Sequence, residues 1–263
     1  MSFAWLNEAG GLRYHLRGFR YAESLWQPFR FALAEWLYAW EPPEKRLVIV
    51  GPSAGWCTQP FFFERFTEVI GLEPDPVAHH LFRRRLARAP LEARPALRFV
   101  KDDLLLSEPE RLVAFLEREG DVAVLFSNII GQLAVLTGAD SPVAPRFAAI
   151  RDAVTRATAG RSWASFHDRV SGDVAPEVDP VVNTSERLDD GALVRRFYPS
   201  LLDAESPIGP TRELLDHMTG GFFPAARPHA YFSWPLMPGV YHLIEATRDV
   251  RAASAEPTSS ART

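Results

Sequence analysis

The chain has 263 residues, 47% of them hydrophobic and 24% charged, which suits one large domain with a sizeable core. No apolar run approaches the roughly 20 residues that span a bilayer, and the N-terminus lacks the basic start and apolar centre of a signal peptide, so no membrane association is expected. The net charge of −4 argues against a broad nucleic-acid surface, and the lone Cys57 cannot close an internal disulfide, which points to a cytoplasmic protein.

Apolar residues recur near helical spacing at Leu25, Phe29, Leu33, Trp36, Leu37 and Trp40. They predict one amphipathic helix starting near Pro28 and stopped by Pro42-Pro43. Residues 46–50 form an almost unbroken aliphatic run, as suits a strand buried on both faces. Strands are then predicted at 67–72, 97–100, 121–126 and 162–166, and helices at 77–89, 109–119 and 145–158. Pro76, Pro109 and Pro145 sit at helix starts, and Gly120 and Gly160 follow helix ends.

This alternation predicts an α/β fold with a doubly wound, Rossmann-like sheet. Residues 229–234 and 240–247 are strand-like and only five residues apart, too few for a crossover helix. An antiparallel C-terminal hairpin should therefore complete a mostly parallel sheet. The expected organisation is an N-terminal helical segment (1–45), a Rossmann-like cofactor-binding core (46–169) and a cap or insertion (170–228). The C-terminal hairpin (229–248) and a disordered tail (249–263) follow.

Chemistry in such sheets gathers at the carboxyl ends of the strands. After the first strand comes Gly51-Pro52-Ser53-Ala54-Gly55, where glycines permit a tight turn and close approach of a ligand. The second strand ends at Glu73, whose two acceptor oxygens suit a pair of ribose hydroxyls. The third leads into Asp102 and Asp103, either of which could take an adenine amino group, and the fourth into Ser127 and Asn128. The fifth leads into His167-Asp168-Arg169. His167 is a candidate general base there, or else caps the following loop with Asp168. Asn128 either satisfies backbone at a strand end or positions a substrate. His79 and His80 diverge by about 100° on a helix, so they do not share a metal, and no metal is assigned.

Taken in order, these residues resemble the class I S-adenosylmethionine-dependent methyltransferases over about residues 20–170, with the terminal hairpin as an extension. The resemblance implies S-adenosylmethionine as cofactor and methyl transfer to a small-molecule acceptor. Gly51, Ser53 and Gly55 fall at the family's glycine loop, Glu73 at its ribose-binding acid, and Asp103 at its adenine contact, with Asp102 if the register slips. Ser127 and Asn128 fall where the family places cofactor and substrate contacts. His167 would then be the base and Asn128 would orient the acceptor.

The chain departs from the family pattern at Ile49, where an acid is usual, and at Ser53, where the middle glycine is usual. Those departures motivate a second reading, a catalytically inactive methyltransferase-like partner or scaffold protein, with the N-terminal helix as a homodimer or partner surface. The loop also fits G-x-S-x-G, the nucleophile elbow of serine hydrolases. Ser53, Asp168 and either His229 or His242 would supply that triad. An elbow normally follows several strands, whereas Ser53 follows the first.

Overall fold

The computed structural model describes residues 11–137, 144–178, 181–204, 207–209 and 213–252. Two helices, α1 (Gly11–Tyr21) and α2 (Gln27–Tyr38), precede β1 (Arg46–Val50) and β2 (Glu68–Leu72). The alternation continues through α3 (Pro76–Arg88), β3 (Ala96–Val100), α4 (Glu110–Glu119) and β4 (Ala123–Ser127). Helices α5 (Leu133–Thr137) and α6 (Pro145–Thr158) lead to β5 (Trp163–Gly172). Next come β6 (Val181–Thr184), α7 (Asp190–Phe197), β7 (Ile208–Gly209) and β8 (Leu214–Asp216). The hairpin strands β9 (His229–Met237) and β10 (Val240–Asp249) come last.

The sheet runs in the order β3-β2-β1-β4-β5-β10-β9-β6, with β8 also pairing β5 and β7 pairing β8. Strands β3, β2, β1, β4 and β5 are parallel, whereas β10 is antiparallel to β5 and β9 to β10. The fold is therefore the doubly wound, Rossmann-like sheet expected, mostly parallel with an antiparallel C-terminal hairpin.

The unbroken aliphatic run of β1 is explained by its two buried faces. Leu47 and Ile49 enter one core with α1, α2 and α3 residues, while Val48 and Val50 enter another with α4 and α6 residues. Ile49 is thus a packing residue, and its side chain points into the first core.

Two expectations are corrected and a third is extended. The N-terminal segment holds two helices: α1 is a separate amphipathic helix, and its Gly18 packs on the Trp56 ring. Strand β5 is ten residues long and carries His167 and Asp168 in its interior, not in a following loop. The 170–228 segment does line the cavity, through Ser171, Leu215 and His217, and it is also built into the sheet. It starts inside β5, adds β6 to the sheet beside β9, and returns β8 to the far end of β5. Of the expected tail, residues 253–263 lie outside the described residues, while Arg251 is bonded through its backbone N–H to Ser162 Oγ at 3.0 Å. Pairing of β5 with β10 shifts register at a bulge between Leu243 and Ile244.

Candidate active site

One cavity of about 970 Å³ opens along the carboxyl edge of the parallel strands. It runs from Glu73 and Asp103 past Ser127 to Asp168 and His242, and α1 covers part of it through Tyr14 and His15. That volume lies at the upper end of ordinary small-molecule sites. Trp56 Nε1 donates to His15 Nδ1 at 3.2 Å, so His15 Nε2–H donates to Asp75 Oδ2 at 2.9 Å. This chain of bonds ties the covering helix to the loop after β2. Tyr14 and Cys57 meet at 3.4 Å, and burial pushes the Cys57 thiol up to about 11, which makes it a poor nucleophile at neutral pH.

The glycine loop and Glu73 form one unit. Gly51 has φ +68 and Ser53 φ 47, both left-handed. That bend aims the Ser53 N–H at Glu73 Oε2, 2.8 Å away, while the Asp75 N–H reaches Glu73 Oε1 at 3.1 Å. Each carboxylate oxygen thus takes one backbone donor and keeps lone-pair capacity for a ligand. Glu73 is only 9% exposed. Burial pushes its carboxyl up to about 7 against the opposing pull of the two N–H groups.

Gly51, Ser53, Glu73, Asp102, Asp103 and Ser127 all line the cavity. Two of them are partly engaged elsewhere: Asp103 Oδ1 accepts from the Leu106 N–H at 2.8 Å, and Asp102 pairs with Arg111. Gly55 is a correction. It does not line the cavity. Its φ of +67 and its contact with Phe82, which an added Cβ would approach to 2.8 Å, make it a packing glycine. The Gly55 and Ala54 carbonyls instead accept from Arg85.

At the other end, Asp168 is fully buried and ringed by donors. Asn128 Nδ2 and Gln132 Nε2 donate to Oδ2 at 3.2 and 2.5 Å, and His242 Nδ1 lies 2.8 Å from Oδ1. Burial alone would raise this carboxyl, but His242, His217 and Asn128 outweigh it and hold it down at about 2. Gly131 allows the turn after β4 to pack on β5, since a Cβ there would stand 2.6 Å from the Asp168 nitrogen. The Gly131 carbonyl accepts from His217 Nδ1 at 2.6 Å, so His217 Nε2 is left to accept from Ser171 Oγ at 2.9 Å. Burial lowers the pKa of His217, favouring its neutral form.

Asp168, His217 and His242 each offer a ligand-type atom, all within 4.8 Å of one another. Hydrogen bonds engage Asp168, both nitrogens of His217 and Nδ1 of His242.

His167 is the principal correction. Successive β5 side chains alternate faces, and Asp168 takes the cavity side. His167 points to the opposite side, where Nδ1 meets Ser165 Oγ at 2.9 Å and the ring stacks on Phe223. Its neighbour there is the buried Glu245, which also faces Arg187, Arg169 and His229. A base on that side cannot reach an acceptor in the cavity. Asn128 does line the cavity, but its amide is spent on Asp168, so it positions that carboxylate.

The serine triad also fails on geometry. Three inter-strand steps of about 4.8 Å separate β1, whose following loop holds Ser53, from β10, which carries His242. His229 lies on the Glu245 side of the sheet, away from Asp168. His217, Gln132 and Ser171 are site residues that sequence reasoning did not assign, and His242 was considered only as a partner of Ser53. Alternation along the hairpin strand was the available signal for His242, because His242, Ile244 and Ala246 share a face.

No protein-family profile matches the chain, and no curated protein matches it. Solved structures do. The N-methyltransferase NodS from Bradyrhizobium japonicum, in complex with S-adenosyl-L-homocysteine, is 8% identical. That match covers 90% of this chain and 96% of NodS, with a TM-score of 0.46. An S-adenosylmethionine-dependent methyltransferase from Anabaena variabilis is 12% identical over 89% of this chain and 91% of its own, with a TM-score of 0.41. An amino pentose methyltransferase of calicheamicin biosynthesis from Micromonospora echinaspora, bound to S-adenosylmethionine, is 20% identical. It covers 65% of this chain and 66% of its own at a TM-score of 0.33. Superpositions this loose carry no weight for activity, and the fold assignment stands on the strand order of the chain itself.

Proposed function

We propose that this protein transfers a methyl group from S-adenosylmethionine to a small-molecule acceptor. The observation that carries the proposal is the continuous cavity between Glu73 at the β2 edge and the Asp168–His242 pair at the β5–β10 edge. A nucleoside fits the first end by chemistry. Glu73 accepts from ribose hydroxyls, Asp103 keeps one oxygen for an exocyclic amine, and the bent backbone at Gly51 permits close approach. Ile49 does not weigh against this, because its side chain packs in the core and Val50 lines the cavity instead.

Bound there, the cofactor supplies an electrophilic methyl on a sulfonium. The protein's part is to hold the acceptor against it and to exclude water, and α1 with Tyr14, Trp56 and Leu12 serves that exclusion. The scaffold reading predicts an occluded or empty cofactor cleft, and a cavity of about 970 Å³ speaks against occlusion alone. No helix among the described residues is long and apolar enough to cross a membrane.

Titration calorimetry with S-adenosylmethionine and S-adenosylhomocysteine tests the proposal. Saturable binding of both, weakened in E73A, is expected. Absence of heat from either ligand with a folded protein overturns it.

A further inference from the structure

We infer that His242, oriented by Asp168, is the group that takes the acceptor's proton, and that the acceptor is an uncharged or cationic compound presenting an O–H or N–H on an apolar body. The inference rests on the methyl-transfer reading above.

The tautomer follows from the partners. Asp168 is ionised and accepts at Oδ1, so the hydrogen between it and His242 sits on Nδ1, 2.8 Å away. The lone pair of His242 is then on Nε2, which has no hydrogen-bond partner among the described residues, and the ring lines the cavity at 8% exposure. Its neighbour His217 cannot do the same work, because Gly131 and Ser171 occupy both of its nitrogens. Asn128 and Gln132 fix the carboxylate from behind, which limits rotation of the pair. An imidazole held by a buried carboxylate, with its far nitrogen facing a cleft, is suited to general-base work.

The lining identifies the acceptor's class. Trp234 lies with its ring centroid 5.5 Å from that of His242, and Leu236, Met237 and Val240 continue an apolar wall. Five carboxylates, Glu73, Asp75, Asp102, Asp103 and Asp168, line the cavity, and apart from histidines Arg17 is the one basic side chain among the described lining residues. An anionic acceptor would meet a field of the wrong sign. In the proton transfer the X–H bond breaks, an Nε2–H bond forms, and the electron pair stays on X, which would bond to the methyl carbon as its C–S bond broke and that pair went to sulfur. Asp168 stabilises the imidazolium until its proton leaves to solvent.

Long-range proton–nitrogen NMR of the histidine rings tests this on the full chain with S-adenosylhomocysteine added, with H242Q assigning the signal. Nδ1–H with an unprotonated Nε2 is expected for His242, and the reverse tautomer overturns the inference. Diethyl pyrocarbonate, which acylates free imidazole lone pairs, should modify His242 at least about tenfold faster than His217 by peptide mass mapping. Equal inertness of the two rings overturns it. D168N keeps the volume of Asp168 and should mix the tautomers and slow acylation of His242 by roughly tenfold; the wild-type measurements decide the matter even if D168N misfolds. Added Zn²⁺ should leave both signals in place. If it shifts Nδ1 and blocks acylation, His242 is a metal ligand and not the base. Failure of S-adenosylhomocysteine to bind, with the His242 results intact, removes the methyl-transfer reading alone.

Discussion

Asn128 and Asp168 hold each other through two hydrogen bonds: Asn128 Nδ2 donates to Asp168 Oδ2 at 3.2 Å, and the Asp168 N–H donates to Asn128 Oδ1 at 2.8 Å. The clamp ties the end of β4 to β5 and is made by a residue at φ 57, a conformation asparagine tolerates better than most. N128A should lose about 2–4 kcal/mol in urea unfolding, since a buried donor and acceptor lose their partners. N128G forfeits the same bonds but relieves the backbone, so it should recover about 1 kcal/mol relative to N128A. Equal stability of wild type and N128A would show that the clamp is idle.

Glu73 sets a pH dependence of opposite sign for stability and for ligand binding. Its carboxyl is raised from 4.5 to about 7, so its favourable contribution to folding is complete below 4.5 and is lost as pH rises through about 7. E73Q cannot ionise. Relative to wild type it should gain stability, on the order of 3 kcal/mol at most, between acid and mildly alkaline pH. Ribose hydroxyls favour the ionised acceptor, so S-adenosylhomocysteine affinity should rise in wild type from roughly pH 6 to 8 and then level off. Calorimetry at three pH values checks both signs, and parallel profiles for wild type and E73Q would refute them.

Gly131 is where side-chain volume is least tolerated around the site. A Cβ there would stand 2.6 Å from the Asp168 nitrogen and 2.8 Å from its Cβ. G131A should cost about 1–3 kcal/mol by overpacking and should displace Asp168 from His242. A lowered melting temperature together with an altered His242 ring signal is the expected result. An unchanged signal would mean that β5 absorbs the methyl group elsewhere.

Gly18 plays the matching part for the covering helix. A Cβ at this position would come within 2.5 Å of the Trp56 ring. Alanine gains about 1 kcal/mol of helix propensity, yet the collision should lift α1 from the cavity. G18A should be cut faster by limited proteolysis within residues 11–26 and should bind S-adenosylhomocysteine more weakly, with little change in global stability. Unaltered proteolysis would show that Trp56 can turn aside.

Much of the sheet was legible because its signals are local. The run at 46–50, the prolines at helix starts and the short hairpin connection each reflect one element's own needs. Glu73 was legible for the same reason, as an acid at a strand end. The base was not, because its identity depends on which face of β5 meets the cavity, and adjacent His167 and Asp168 are equivalent in a linear reading. His217 comes from beyond β8, and nothing near it in sequence signals the long return that brings it beside Gly131. Helix α1 was missed because its stability comes from tertiary contacts such as the Trp56 packing rather than from caps or propensity.

The irregularity between Leu243 and Ile244 acquires a meaning from this arrangement. There the pairing skips Arg169, the extra residue of β5, so Leu243 stands opposite Val170, Ile244 opposite Asp168 and Glu245 opposite His167. Were Arg169 paired like its neighbours, inside and outside would exchange along the earlier half of β5, putting His167 at the cleft and Asp168 opposite Glu245. The molecule thus keeps two ionic assemblies back to back across a single strand, one open to solutes and one sealed, and the bulge at Arg169 keeps them from trading places.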